Sequence, residues 1–352
     1  MLITILSFLA ILVVLIFTHE LGHFIAAKLR GVKVEEFGIG FPPRLFGIKR
    51  DETVYSLNAL PFGGFVRLLG EEDPTSPRSL ASKTIATRFL VLSAGSLMNV
   101  LLPIVLFSLS FMVPHNVVMQ EVQVQEVALS SPAENAGIEP GDIILKVNDR
   151  PVKNIGDAGY FIRLNLGSET SILLQKANFT QEEISVTPRW NPPSSEGATG
   201  IAIAGANSTI VRESYPFWEA IPLGICYCVE ALVLFRNEVV TWFVGQSSLQ
   251  VAGPIGIAQI TGEVARAGLS PLMELAAFIS INLAIINMFP FPGLDGGRLA
   301  FVILEWFRRG KRISPKREAL VHLIGFAILL LVIFALSYYD IIRIIQGESL
   351  LP

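Results

Sequence analysis

The feature that most constrains this chain is a set of long apolar segments that carry almost no charge. A helix that crosses a bilayer needs about 20 consecutive residues that are predominantly apolar. Four segments qualify: Met1 to about Phe17, continuing to Lys28; Phe89–Val113; about Leu275–Leu294; and Ala319–Tyr339. The sequence therefore predicts a polytopic α-helical membrane protein with about four transmembrane helices.

Composition excludes the common soluble classes. Charged residues make up 16% of the chain, against about 25% in globular proteins. A hydrophobic content of 51% excludes a disordered chain. The formal net charge of −3 offers no general attraction to nucleic acid, so we expect the lipid bilayer, and not nucleic acid, as a partner. The two cysteines, Cys226 and Cys228, predict packed thiols and no disulfide framework.

The first apolar segment is predicted to remain in the mature chain. A signal peptide has a basic region before its apolar segment and a small-x-small cleavage site after it, and this segment has neither. Its basic residues, Lys28, Arg30 and Lys33, come afterwards. Lys and Arg outnumber Asp and Glu by ten to seven in residues 28–88 and by seven to one in 298–317, whereas 114–274 holds nine against seventeen. The positive-inside rule then places both termini and the long middle region outside.

The segments between the spans suggest further elements. Residues 31–75 combine turn-rich clusters with alternating polar and apolar residues, which predicts a membrane-associated β-hairpin at the cytoplasmic face. Val239–Gly262 lacks charge but contains several glycines and a proline, so we expect an interfacial or re-entrant segment. Residues 216–220 are expected to start an amphipathic helix at the outer interface. Arg236 and Glu238 then argue against a clean fifth span.

Residues 117–190 are predicted to form a small extracytoplasmic α+β domain. A strand-like alternation at 122–127 precedes a short helix that ends at Gly137, and a turn and strand follow. The stretch Pro132–Val147 resembles a PDZ domain, in which a bound peptide adds a strand to a sheet edge. A β-rich spacer is the alternative.

The chain is accordingly divided into four parts. Residues 1–113 form an N-terminal membrane part, and 114–190 form the inserted PDZ-like domain. Residues 191–262 form a linker with an interfacial helix and the re-entrant segment. Residues 263–352 form a C-terminal membrane part with the third and fourth spans.

The strongest chemical signal is the run His19-Glu20-Leu21-Gly22-His23. Residues four apart lie on the same face of a helix, so both imidazoles can bind one metal ion. Glu20 is turned by about 100° and points beside the ligands, where a water would be activated. A histidine–glutamate pair at a helix end is the plainer interpretation. An ionisable cluster inside an apolar span is, however, costly and usually functional.

A catalytic zinc site has three protein ligands and one open position, so a third ligand must come from elsewhere. Asp295 follows Asn287-Met288-Phe289-Pro290-Phe291-Pro292-Gly293-Leu294, a stretch that bends the third span. The alternative for Asp295 is a helix N-cap, and from the residues alone both remain open. The charge count places Asp295 and the two histidines near the cytoplasmic side, which agrees with a shared site.

With both motifs in view, the chain resembles an intramembrane zinc metalloprotease of the site-2 protease family, of the bacterial type that cleaves anti-sigma factors. The family patterns H-E-x-x-H and N-x-x-P-x-P-x-L-D-G match His19–His23 and Asn287–Gly296. The resemblance implies that His19, His23 and Asp295 hold Zn2+ and that Glu20 is the catalytic base. It also suggests that Asn287 contacts the substrate. A single PDZ-like domain means that features of tandem PDZ relatives do not carry over.

The resemblance further implies transmembrane protein substrates such as anti-sigma factors or signal-peptide remnants, cut after prior cleavage by another protease. It also implies a bacterial inner membrane, with the active site near the cytoplasmic side. Two other classes compete. A membrane adaptor with a structural metal would not need Glu20, and a metal-ion transporter would need more polar residues along several spans.

Overall fold

The computed structural model describes residues 2–71, 73–193, 196–244 and 252–346. Their backbone contacts divide the chain into two compact units. The first unit holds the described residues of 1–110, 220–224 and 251–352, and the second holds those of 111–219 and 225–250.

In chain order the elements are α1 (Leu2–Leu29), β1 (Val34–Arg50), β2 (Thr53–Leu68), α2 (Ile85–Met112), β3 (His115–Val127), α3 (Pro132–Asn135), β4 (Ile143–Val147), β5 (Arg150–Pro151), α4 (Ile155–Leu164), β6 (Thr170–Gln175), β7 (Gln181–Val186), β8 (Ile201–Glu213), α5 (Phe217–Val244), α6 (Pro254–Ala267), α7 (Leu269–Met288), α8 (Asp295–Phe307) and α9 (Pro315–Ile345).

Five described helices, α1, α2, α5, α7 and α9, are long and apolar enough to cross a membrane. Four of them, α1, α2, α7 and α9, overlap the predicted spans. The fifth, α5, runs without interruption through Arg236 and Glu238, where the sequence analysis expected no clean span. Its four charged residues, Glu219, Glu230, Arg236 and Glu238, do not end the helix, because Glu and Arg are good helix formers. Five long apolar helices are compatible with a polytopic membrane protein.

In the first unit, β1 and β2 form the predicted hairpin as a two-stranded antiparallel sheet with several register shifts. Asp51, with a φ of 54°, occupies the tight turn between the strands. The early part of β1 is buried, whereas residues 41–50 are exposed. Only the early part therefore contributes to the core, which Val34 and Leu68 share with Ala27 of α1 and Val91 of α2.

Helices α1 and α2 approach each other closely because small residues face each other. A Cβ added at Gly22 would lie 2.3 Å from the Ala94 carbonyl oxygen, so only glycine permits this distance. Stripes of small residues allow this kind of packing between membrane helices. The approach brings the buried face of α1, which carries His19 and His23, against α2.

The third predicted span ends earlier than expected. Helix α7 stops at Met288, and Phe289 has an extended backbone. Proline disfavours a helical conformation in the residue before it, so Pro290 accounts for this end. A short non-helical segment then leads to α8, whose first residue is Asp295 and whose N-cap is Leu294. The alternative assignment of Asp295 as an N-cap is therefore wrong.

The second unit contains a six-stranded sheet with the order β7-β6-β4-β3-β8, and β5 pairs with β4 beside this path. Its core includes Val122, Ile144, Ile172 and Phe161 of α4. The short helix predicted before Gly137 is α3, and the Ser131 hydroxyl caps it by accepting a hydrogen bond from the Glu134 backbone amide. Strand β8 pairs with β3 along its length. This strand lies within 191–262, where the sequence analysis predicted a linker and no strand.

The later part of α5 packs within the second unit through polar side chains. Glu230 accepts a hydrogen bond from the Tyr160 hydroxyl at 3.0 Å and pairs with Arg150 at 2.7 Å. The Asn237 amide donates to the Arg163 carbonyl at 2.7 Å. Of the predicted re-entrant segment 239–262, residues 245–251 lie outside the described residues. Residues 239–244 belong to α5 and 254–262 to α6, and 252 and 253 directly precede α6.

Candidate metal centre

His19 and His23 lie one turn apart on the buried face of α1. Their side chains are 10% and 11% exposed, and their ring centroids are 4.9 Å apart. The Nε2 atoms of the two rings are 3.2 Å apart. Two ring nitrogens therefore converge on one point, as their spacing in the sequence predicts.

Asp295 reaches the same point from the start of α8. Its Oδ2 atom lies 3.0 Å from His19 Nε2 and 3.1 Å from His23 Nε2. The three side chains form a group that could hold a metal ion. The two sequence motifs thus meet in the folded chain, although His23 and Asp295 are 272 positions apart.

The donor set fits zinc. Bonds of about 2.0–2.2 Å at tetrahedral angles place neighbouring donor atoms roughly 3.3–3.5 Å apart, close to the separations in this site. His23 Nδ1 lies 2.8 Å from the Val91 carbonyl oxygen, which can only accept a hydrogen bond. The Nδ1 atom therefore carries the proton, and a neutral His23 ring presents a bare Nε2 lone pair to the metal position.

Two residues of α2 complete the site, and the sequence analysis missed both. A Cβ added at Gly95 would lie 2.4 Å from His23 Nε2 and 2.7 Å from His19 Nε2, so glycine leaves the space beside the donor atoms free. The Asn99 amide lies 3.3 Å from His19 Nδ1. Small and polar residues at helical spacing within the second apolar segment were the signal that could have found them.

Glu20 lies beside the three donors in a cavity of about 370 Å³. The backbone amide of Val66 in β2 interacts with its carboxylate. The cavity is lined by residues of α1, α2, β2 and α8 and of the segments next to β2 and α8: His19, Glu20, His23, Phe65, Val66, Arg67, Leu68, Glu71, Leu92, Gly293, Leu294, Asp295 and Arg298. A carboxylate outside the donor set and a space for substrate are thus both present.

Asn287 is not brought into this cavity. It lies half-buried in the last turn of α7 and is absent from the cavity lining among the described residues. Its role in substrate contact remains a prediction.

His322 of α9 contacts the segment that precedes Asp295. Its Nδ1 accepts a hydrogen bond from the Gly293 backbone amide at 3.1 Å. Gly293 lies two residues before Asp295, so this contact helps to order the segment that delivers the carboxylate.

Ion pairs also hold α8 in place. Arg298, one turn after Asp295, pairs with Glu71 at 2.8 Å. Farther along, the buried Glu305 pairs with Arg88 of α2 at 2.6 Å and with Arg312 at 3.2 Å. These contacts hold the first turn of α8 to the segment after β2 and its later part to α2.

Comparison with known proteins gives consistent results. A family model described as Peptidase family M50 matches residues 7–332. A Clostridium perfringens protein, named provisionally as a zinc metalloprotease, is 36% identical over 93% of this chain and 95% of its own length. A similarly named protein of Clostridium acetobutylicum is 34% identical over 94% of both chains. The zinc metalloprotease RasP of Oceanobacillus iheyensis is 28% identical over 97% of this chain and 99% of its own.

Proposed function

The chain belongs to peptidase family M50 and is a zinc metalloendopeptidase, and from this premise we propose that it cleaves peptide bonds within the membrane-spanning segments of other proteins. The observation that carries the proposal is the position of the donor set. His19, His23 and Glu20 all lie in α1, whose residues before Thr18 carry no charged side chain. A hydrolytic centre on such a helix is suited to a substrate that is itself in the bilayer.

The roles proposed for the residues follow from their chemistry. His19, His23 and Asp295 hold the metal, and bound zinc supplies a Lewis acid that polarises a carbonyl and acidifies a water. The Glu20 carboxylate takes a proton from the attacking water and passes it to the amine nitrogen that leaves. The hydrogen bond from His23 Nδ1 to the Val91 carbonyl keeps the ring in its ligating orientation.

A transmembrane substrate must unwind before attack, because its amides are hydrogen-bonded within its own helix. Strand β2 offers those amides a substitute partner. It pairs with β1 in a two-stranded sheet, and its residues Phe65 to Leu68 line the cavity beside Glu20. We propose that an unwound segment adds to β2 as a further strand, with its scissile bond next to Glu20.

The proposed topology places both termini outside and the active site near the cytoplasmic side of a bacterial inner membrane. Helix α2 then ends outside and α7 begins outside, so the chain between them crosses an even number of times. The proposed topology of four spans, α1, α2, α7 and α9, meets this requirement and keeps α5 on the outer side.

The proposed substrates are anti-sigma-factor-like proteins or signal-peptide remnants, cut after another protease has trimmed their outer part. The second unit is proposed to be PDZ-like. It would gate access by size or bind the newly exposed C-terminus of a trimmed substrate. The six-stranded sheet of this unit and the capped short helix α3 support the proposal.

The test uses the full chain in detergent or liposomes with a single-span model substrate. The wild type is expected to contain zinc, to lose cleavage on chelation and to recover it when zinc is restored. Glu20→Gln should keep its zinc and lose cleavage. Cleavage by Glu20→Gln at the wild-type rate would overturn the role of Glu20. A zinc-loaded wild type that cuts soluble peptides but no membrane-spanning substrate would overturn the proposed function.

A further inference from the structure

We propose that Asn99 is a positioning residue that selects the tautomer of His19 in which the ring can bind zinc. The inference rests on the proposed metal site and adds a residue of α2 to it. Asn99 is fully buried, and its amide lies 3.3 Å from His19 Nδ1.

The two ligand histidines differ in what their second ring nitrogen meets. His23 Nδ1 faces a backbone carbonyl, which accepts only, so one tautomer is enforced. His19 Nδ1 faces a side-chain amide, which has an oxygen that accepts and a nitrogen that donates. Among the described residues, this amide is the hydrogen-bond partner of His19 Nδ1.

The direction of that hydrogen bond decides whether His19 can bind a metal. When Asn99 Nδ2 donates to a bare Nδ1, the proton of a neutral ring lies on Nε2, which points at Asp295 and cannot ligate. When the amide is turned so that Oδ1 faces the ring, Nδ1 carries the proton and Nε2 is free. In the structure Nδ2 faces the ring, and Oδ1 is buried without a hydrogen-bond partner among the described residues.

This arrangement suits a metal-linked change of orientation. Asn99 Oδ1 has no hydrogen-bond partner among the described residues in the observed orientation, and after the turn it accepts a hydrogen bond from His19 Nδ1–H. The backbone of Asn99 is anchored separately, because its carbonyl accepts a hydrogen bond from the Ser280 hydroxyl of α7 at 2.8 Å. The side chain can therefore turn about its terminal bond while α2 and α7 remain in contact.

The experiment measures zinc affinity of the full chain in detergent by competition with a chromogenic chelator. Asn99→Leu removes both the donor and the acceptor and keeps a side chain that branches at Cγ, and we expect zinc affinity to fall about 10–100-fold. Asn99→Asp offers acceptor oxygens only and should keep the affinity within threefold of wild type or raise it. Ser108→Ala is the matched control, since Ser108 is another buried polar residue of α2 and bonds only to the Ile104 carbonyl of its own helix among the described contacts.

Each outcome decides the proposal. Equal affinity of Asn99→Leu and wild type would overturn it, and so would a tenfold loss in Asn99→Asp, which would show that the ring needs the amide as a donor. The second variant decides the matter even if Asn99→Leu fails to fold. A Co2+-loaded sample adds a spectroscopic readout, because the intensity and position of its d–d bands report the ligand set directly. Zinc affinity is read without substrate, so a failure of the proposed intramembrane cleavage would leave this result unchanged and distinguishable.

Discussion

Substitution of Gly95 by alanine tests the geometry of the metal site with a single methyl group. The added Cβ would lie 2.4 Å from His23 Nε2 and 2.7 Å from both Cε1 and Nε2 of His19. Uncompressed contacts between such atoms lie at about 3.5–4.0 Å, so the rings or α2 must move by roughly 1 Å. Both rings are buried and packed against α2, which leaves little room for a shift that preserves the converging nitrogens.

The expected size of the effect follows from this displacement. A misplacement of about 1 Å at a reacting centre can cost roughly 100-fold in rate, and we expect a loss of that order in cleavage at a fixed zinc concentration. Overpacking costs about 1–3 kcal/mol in unfolding free energy, whereas replacing a helical glycine by alanine returns about 1 kcal/mol. Global stability should therefore change little, and the loss should appear in zinc affinity and activity.

The assay pairs chelator competition for zinc with cleavage of a single-span substrate, and thermal unfolding in detergent reports on stability. Gly159→Ala in α4 is the matched control, because a Cβ there would meet no atom within 4 Å. The control should keep wild-type zinc affinity and gain slightly in stability. If Gly95→Ala bound zinc and cleaved substrate within threefold of wild type, the donor atoms would not converge where the structure places them.

Two further predictions concern charged groups away from the metal. Glu305→Ala leaves the Arg88 side chain, 9% exposed, without its partner at 2.6 Å and should lower the unfolding free energy by about 3–5 kcal/mol. Arg163→Ala breaks an exposed pair with Glu238 and should cost less than about 1 kcal/mol. Similar thermal shifts for the two variants would contradict the difference in burial. Hydrogen bonds from Arg78 and Lys28 lower the pKa of Glu52 from 4.5 to about 2. The stabilisation from this carboxylate is therefore complete above pH 4.5 and is lost as the pH falls through about 2. The melting temperatures of wild type and Glu52→Gln should differ by a constant amount above that window and converge within it, and a difference that does not depend on pH would refute the assignment.

Much of the membrane architecture was readable from the sequence because apolar length is a local property. The segments that became α1, α2, α7 and α9 were predicted, and so was the hairpin of β1 and β2. The bounds were less accurate where local chemistry competes with hydropathy. Pro290 ends α7 at Met288, six residues before the predicted end of that span. The continuous helix α5 and the strand β8 were not predicted, because Arg236 and Glu238 interrupt one pattern and β8 depends on a distant partner, β3.

The sequence by itself determined which residues can provide the chemistry. Helical spacing places His19 and His23 on one face with Glu20 beside them, and the composition of the surrounding segment makes a polar cluster there costly without a function. Asp295 was a candidate from its position after the two prolines, but its role as ligand or N-cap was undecided. Asn287 stayed a prediction throughout, since the part of the chain that the structure describes does not bring it to the cavity.

Only the tertiary structure decided how these residues meet. The convergence of Asp295 on both imidazoles depends on where α8 starts and on the ion pairs that hold it, and no local pattern encodes a contact between positions 272 apart. Gly95 and Asn99 acquire their importance only because Gly22 lets α1 approach α2 so closely. Periodicity along one helix specifies a face, whereas the neighbour of that face is set by packing of the whole chain.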